Sequence, residues 1–262
     1  KIDRNPLINK NINVNKKLTL TGEQQEAFFK INSAFKEKRH EEFLLYGITG
    51  SGKTEVYLQL IESVLNENKS SIMLVPEISL TPQMIDRFIG RFGKEKIAVL
   101  HSKLSLGERH DEWERIKENK AKIVIGARSA IFAPCSDLGL IIIDEEHDGS
   151  YKSEADPRYF AKEVAKKIAQ EQKIPLVLGS ATPDLRTFYR AKENEITLLK
   201  MTKRANNSNL PKVEIVDLKM ELATGNRSMI SNLLYNEMEK NLKEKRQTIL
   251  FLNRRGFTTF IM

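Results

Sequence analysis

The chain has 262 residues, 40% of them apolar and 30% charged, enough to build a sizeable core in one large domain or one domain plus part of another. No window approaches the roughly 18 uninterrupted apolar residues of a membrane span, and the first segment is not a signal peptide, so no membrane partner is expected. Forty-three basic residues against 35 acidic leave a net charge of +8, a moderate bias toward polyanions, and the single cysteine, Cys135, excludes an internal disulfide framework and a cysteine-based zinc cluster within these residues. A cytoplasmic setting is expected.

Residues 1–19 begin with a stretch rich in asparagine and basic residues in which Asp3 is the only acid. Such a stretch has little to bury and reads as a linker arm entering from a preceding domain. A helical pattern starts at Leu20, with Thr21 as N-cap and Ala27, Phe28, Ile31 and Phe35 on one face. Short apolar runs at 43–46, 72–75, 97–100, 123–125, 140–143 and 176–178 read as strands. Amphipathic stretches at 55–66, 81–92, 108–120 and 160–170 read as helices. Strands apolar at consecutive positions are buried on both faces, so the alternation predicts an α/β lobe over 20–199 with a mostly parallel sheet flanked by helices. Residues 200–212, basic and asparagine-rich with Pro211, read as an interlobe linker. A strand at 213–218, a helix at 231–245 and a strand at 248–252 then open a second α/β lobe, incomplete over 213–262.

Gly47-Ile48-Thr49-Gly50-Ser51-Gly52-Lys53-Thr54 matches G-x-x-x-x-G-K-[ST], directly after a strand and directly before a helix. Glycines let backbone N–H groups turn in around phosphates, the helix N-terminus adds favourable partial charge, and Lys53 reaches the β/γ oxygens. Thr54 offers its hydroxyl to Mg²⁺. At the carboxyl end of the strand 138–143 stand Asp144, Glu145, Glu146 and His147, where ligands of open parallel sheets bind. An acidic run in that position is often a solvated cap. Beside a phosphate loop it reads as a site in which Asp144 holds Mg²⁺ and Glu145 orients and deprotonates the attacking water. The expected ligands are therefore ATP and Mg²⁺, with Lys53, Asp144 and Glu145 catalytic.

With Asp144-Glu145-Glu146-His147 in view, the sequence resembles superfamily 2 helicases of the DEAH-like type, which implies a RecA-like P-loop NTPase lobe. Ser180-Ala181-Thr182 resembles that family's third motif, linking nucleotide state to strand binding. The match narrows with Leu20-Thr21-Gly22-Glu23-Gln24, Val75-Pro76-Glu77-Ile78-Ser79-Leu80-Thr81-Pro82-Gln83 and Gly126-Ala127-Arg128-Ser129-Ala130. With Asp148, Gly179, Pro183 and Phe251-Leu252-Asn253-Arg254-Arg255-Gly256-Phe257, the set is similar to the primosomal replication-restart helicases. The resemblance implies a two-lobed motor moving 3′ to 5′ on single-stranded or forked DNA and reloading the replication machinery at stalled forks, with primosome and single-strand-binding proteins as partners. It places Gln24 near the adenine. Members of that family carry an N-terminal DNA-binding region, a cysteine-rich zinc insertion and late second-lobe motifs that are absent here. The chain therefore reads as a fragment, weak or inactive alone, with zinc expected in the full-length protein but not in this chain.

The segment 148–160 interleaves Tyr151, Lys152, Arg158, Tyr159 and Phe160 on a loop that starts at the catalytic carboxylates. Bases stack on aromatic rings and cations hold phosphates, so Tyr151, Lys152, Arg158 and Tyr159 are candidates for DNA contact or coupling. Phe160 is expected to pack in the core. Arg128 and Ser129, and residues 76–81, follow strands at the edge that carries the phosphate loop, where hydroxyls and N–H groups suit phosphate contact. Ser79 and Thr81 equally suit a helix cap. The resemblance makes His147 a candidate for coupling the ATP site to Thr182. His101 and Trp113 read as surface and packing residues, and Cys135 as a buried small side chain. Two other readings stand beside a helicase: the motor subunit of a restriction or remodelling complex, and a nucleotide- and DNA-binding module with little turnover.

Overall fold

The computed structural model describes residues 15–77, 80–205 and 212–251. The chain runs α1 (Gly22–Lys36), β1 (Glu42–Gly47), α2 (Lys53–Asn66), β2 (Ser70–Leu74), α3 (Pro82–Phe92), β3 (Ile97–Leu100) and α4 (Leu106–Lys117). It continues through β4 (Ile123–Gly126), β5 (Leu138–Ile143), α5 (Ala161–Gln172), β6 (Leu176–Ser180), α6 (Leu185–Lys192), β7 (Thr197–Met201), α7 (Leu218–Ala223) and α8 (Asn232–Lys243). It divides into two compact units, Lys1–Ser208 and Asn209–Met262.

The strands of the first unit form one sheet in the order β3-β4-β2-β5-β6-β1-β7, with every pairing parallel. Parallel neighbours need crossovers, and the helices between strands supply them and cover the sheet. Successive side chains of a strand face opposite sides. Phe43, Leu45, Met73 and Ile142 thus join Ile31 of α1, Tyr57 and Ile61 of α2 and Phe88 of α3 in one apolar cluster. Leu44, Ile72, Ile141 and Ile143 join Ile116 of α4 and Ala165 and Ala169 of α5 in the other. Because all strands point the same way, all their carboxyl ends open on one edge. Since β6 lies between β1 and β5, the chain leaving β6 emerges between the phosphate loop and the acidic run.

The expected α/β lobe is present, and its sheet is parallel throughout. Thr21 heads α1 in a capping box with Gln24. The Thr81 hydroxyl caps α3 by accepting from Met84 N at 3.3 Å, while Ile78 and Ser79 lie outside the described residues. Residues 15–18 of the expected arm lie against α2 and α3. Asn15 N donates to Gly90 O, Leu18 O accepts from Gln59 Nε2, and Lys17 pairs with Glu62. Two elements of the first unit escape the sequence reading, α6 and the edge strand β7, whose half-buried Thr197 and exposed Lys200 break the apolar run. No helix of the described residues is long and apolar enough to cross a membrane.

In the second unit the expected helix is found as α8, with Ser231 as its N-cap. The Glu221 carboxylate of α7 accepts from Asn232 N, placing negative charge at the positive end of α8. The strands expected at 213–218 and 248–252 are not formed among the described residues. Residues 213–217 are irregular and α7 starts at 218. A strand persists only where a neighbour completes its ladder and covers a face, and Ile215 and Ile249 are each 94% exposed. Leu252 and the residues after it lie outside the described residues.

This contrast is measurable. Ile142→Ala, in fully buried β5, should cost about 2–5 kcal/mol, whereas Ile249→Ala should stay within about 0.5 kcal/mol. Both are read by urea unfolding followed through the single tryptophan, Trp113.

Candidate nucleotide site and adjoining groove

The turn between β1 and α2 is possible because Gly50 and Gly52 sit at φ +81° and +86°, left-handed values that glycine adopts without strain. Gly52 is also required for space, since a Cβ there would lie 2.3 Å from Gln24 Nε2. Gln24 is buried and fully engaged. Its Oε1 accepts from Thr21 N at 2.8 Å, and its Nε2 donates to Ser51 O at 2.8 Å. The Lys53 ammonium donates to Gly47 O at 2.7 Å, and the Ser51 hydroxyl is buried with no hydrogen-bond partner. Around the loop lies a cavity of about 600 Å³ whose lining includes Gln24, Ile48, Thr49, Thr54, Asp144 and Glu145. Of the expected ATP and Mg²⁺ residues, all but Gly47 line this one cavity. A cradle of left-handed glycines, a helix N-terminus, a lysine and an unpartnered hydroxyl suits a polyphosphate. The Thr54 hydroxyl and Asp144 carboxylate are hard oxygen donors that suit Mg²⁺.

Asp144 is held by two buried tyrosines. Tyr57 OH donates to its Oδ1 at 3.0 Å, and Tyr151 OH donates to its backbone oxygen at 2.6 Å. Burial, followed by the charge of Glu145, lifts the Asp144 carboxyl above the usual carboxylate range, against the lowering effects of Tyr57 and Lys53. Burial, then the charge of Asp144, raises both tyrosine hydroxyls, which therefore stay protonated donors. A Cβ at Gly179 would lie 1.7 Å from Tyr57 Oη, so β6 must carry glycine where it passes this pair.

The residues after Asp144 diverge. Glu145 has φ +45° and a partly exposed side chain, with Oε2 3.6 Å from His147 Nδ1. His147 Nδ1 is 2.8 Å from Ser180 Oγ, and its Nε2 is 3.5 Å from Thr182 Oγ1. The imidazole thus touches both the acidic run and the loop after β6. Glu146 points the other way and is fully buried. It accepts from Lys162 Nζ at 2.7 Å, Asp184 N at 2.7 Å and Thr187 Oγ1 at 3.0 Å.

A second concavity of about 510 Å³ lies on the same edge, at the ends of β2, β3 and β4. Its lining includes Glu77, Ser102, Arg128, Ser129, Ser150 and Lys152. Arg128 donates to Ser150 O at 3.2 Å and to Lys152 O, and its guanidinium lies 5.6 Å from the Tyr159 ring centroid. Tyr159 packs edge-on against Phe132 at 5.1 Å, and Arg158 is exposed beside Asp156. Tyr151 departs from the expectation. It is fully buried under the acidic run, so no base can stack on its ring. A tyrosine within a polar, basic loop carries no sign in sequence that the loop folds back over it. Phe160 packs against the core, His101 is half-buried with its pKa lowered by burial, and burial pushes the Cys135 thiol up to about 12. Sequence reasoning missed Tyr57 and Glu146. Tyr57 sits at an ordinary apolar position of α2, and nothing in Glu-Glu says which carboxylate turns inward.

An all-parallel sheet with a glycine-rich phosphate loop after β1 and an acidic run after β5 is the architecture of a RecA-like lobe. The chain belongs to the family described as Type III restriction enzyme, res subunit, whose model matches residues 17–185. It is 51% identical over 259 residues to the replication restart protein PriA of Bacillus subtilis (strain 168), covering 99% of this chain and 32% of that protein. It is 46% identical over 227 residues to the replication restart protein PriA of Synechocystis, covering 85% of this chain and 27% of that protein. The chain thus spans about a third of the length of such relatives. Among solved structures, RecG bound to a three-way DNA junction shares the fold, with a TM-score of 0.51 and 20% identity over 87% of this chain and 32% of that one.

Gly179→Ala should displace Tyr57 from Asp144. In a double-mutant cycle with Tyr57→Phe, the two changes should couple by about 0.5–3 kcal/mol, because removing the hydroxyl makes part of the room that the new methyl needs. Additive losses in chemical denaturation would place the conflict elsewhere.

Proposed function

We propose that the whole protein is an ATP-driven 3′–5′ DNA helicase of replication restart, and that this chain supplies its ATP-Mg²⁺ site and part of its DNA surface. The observation that carries the reading is that one segment serves two places: Asp144 and Glu145 line the nucleotide cavity, and Gly149, Ser150, Lys152, Glu154 and Ala155 line the adjoining groove. A ligand in the groove therefore touches the loop that holds the hydrolytic carboxylates. The identity to replication restart proteins supports restart over a restriction-type motor, although the two share the family.

In this reading the phosphate-loop amides and Lys53 hold the phosphates, and Thr54 and Asp144 hold the cation. Magnesium, when bound, neutralises charge on the transferring phosphoryl group. Glu145, partly exposed in the cavity lining, orients the attacking water and takes its proton. His147, between Glu145 and Ser180–Thr182, couples that base to the loop after β6. Arg128, Ser129, Lys152, Arg158 and Tyr159 contact the DNA strand, while Tyr151, bonded to Asp144 O, acts in coupling only. Single-stranded or forked DNA is the polymer, primosome and single-strand-binding proteins are partners of the whole protein, and the setting is cytoplasmic.

Lys53→Ala should weaken nucleotide binding at least about tenfold, since a charge-assisted contact is worth about 1.5–3 kcal/mol; unchanged affinity in an ATP-analogue titration would remove the phosphate-site assignment. In the full-length parent, Glu145→Gln should keep ATP bound and stop hydrolysis. Lys152→Ala with Arg158→Ala should lower DNA-stimulated hydrolysis while leaving DNA-free nucleotide affinity as it was. Stimulation at the parent's level would take these two residues out of the DNA surface.

A further inference from the structure

The first turn of α1 grips the phosphate loop through two neighbouring side chains, and one of them acts at a distance. Gln24 bonds Ser51 O directly. Glu23 does not touch the loop. Its Oε1 accepts from Thr202 Oγ1 at 2.7 Å and its Oε2 from Lys203 N at 3.1 Å, which ties down the chain leaving β7. Beyond that tie, Ala205 N donates to Gly50 O at 2.9 Å, and Ala205 itself lines the nucleotide cavity.

That last bond matters because of what stands across the same peptide. A trans peptide directs its C=O and N–H to opposite sides. Of the unit joining Gly50 to Ser51, the oxygen is held by Ala205 and the N–H donates to Ile48 O at 3.0 Å. The peptide is pinned at both ends. It sits beside a glycine at φ +81°, where the backbone has the widest freedom to rotate. On the oxygen side the bond described is the one from Ala205 N.

We propose that Glu23 is a positioning residue for the phosphate loop: by clamping Thr202 and Lys203 it keeps Ala205 N–H on Gly50 O and so locks the Gly50–Ser51 peptide in the orientation that receives nucleotide. The inference rests on the reading of this loop as the phosphate site. The bonds from Thr202 and Lys203 hold the Glu23 carboxyl below the usual carboxylate range, so the clamp is charged and intact at neutral pH. The clamp also sets the chain's path from β7 at the nucleotide cavity, so nucleotide on the loop and order in residues 202–205 are linked: each stabilises the other.

The test uses this chain with Glu23→Ala, Glu23→Gln and Thr202→Val, and two readouts. Hydrogen exchange at the Ala205 amide, without nucleotide, should quicken about tenfold in Glu23→Ala, the loss of one ordinary hydrogen bond's worth of protection, while amides of β5 keep their rates. Affinity for a fluorescent ATP analogue with Mg²⁺ should fall by a similar factor, and Glu23→Gln, which keeps one carbonyl acceptor, should fall between. Thr202→Val removes one of the two bonds from the other side, should give a smaller change in the same direction, and serves if Glu23→Ala does not fold. Unchanged Ala205 exchange, or analogue affinity within twofold of the parent, overturns the proposal. If the unaltered chain and Lys53→Ala bind the analogue equally poorly, the phosphate-site reading has failed, while exchange at Ala205 still decides whether the clamp exists.

Discussion

The geometry of the site depends on the buried carboxylate of Glu146. An ionised group removed from water costs several kcal/mol unless charge and hydrogen bonds replace its hydration. Here Lys162 of α5, Asp184 N and Thr187 at the start of α6 supply them, and Glu146 N donates to Gly179 O. One side chain therefore fastens the end of β5 to α5 and to the chain that follows β6. The stretch from Ser180 to Thr182 lies between the anchor points Gly179 and Asp184, and there His147 meets Ser180 at 2.8 Å. The contacts between the acidic run and its neighbour are secondary to a core bond that neither ligand would touch.

The parallel sheet divides the work along one edge. The loops after β1 and β6 flank the acidic run on one side, and the ends of β2, β3 and β4 form the groove on the other. Between them passes the loop from Asp144 to Phe160, pinned over Tyr151 by its hydroxyl on Asp144 O and braced by Arg128 on Ser150 O. A packed tyrosine cannot give way as a solvated one would, which is the property that the proposed coupling of groove to cavity requires.

Much of this was legible from the residues. The phosphate loop shows in sequence because its chemistry demands glycine at fixed spacing, and the strands show because burial on both faces demands consecutive apolar residues. Features decided by tertiary context were hidden. Tyr151 looked like a base-stacking residue, since aromatic and basic residues interleave around it, yet the loop closes over its ring. The edge strand β7 has one neighbour only, so two of its five positions, Thr197 and Lys200, are polar and its pattern is broken. Around Ile215 and Ile249 the opposite held: residues with strong strand propensity stay irregular among the described residues, because propensity needs a partner strand to act on.

The acidic run also shows why three consecutive carboxylates can have three fates. In regular extended chain Asp144 and Glu146 would face the same side, and both would crowd the cavity or both the core. The left-handed backbone of Glu145, at φ +45°, breaks that alternation. Such a conformation costs a non-glycine residue about 1–3 kcal/mol, so it must be held, and it is. Glu146 N bonds Gly179 O after the turn, and Asp148 N bonds Glu145 O across it. The result sends Asp144 toward Tyr57, Glu145 toward His147 and Glu146 into the core. Strain at one residue thereby separates a carboxylate buried in the core from two that line the cavity beside the phosphate loop.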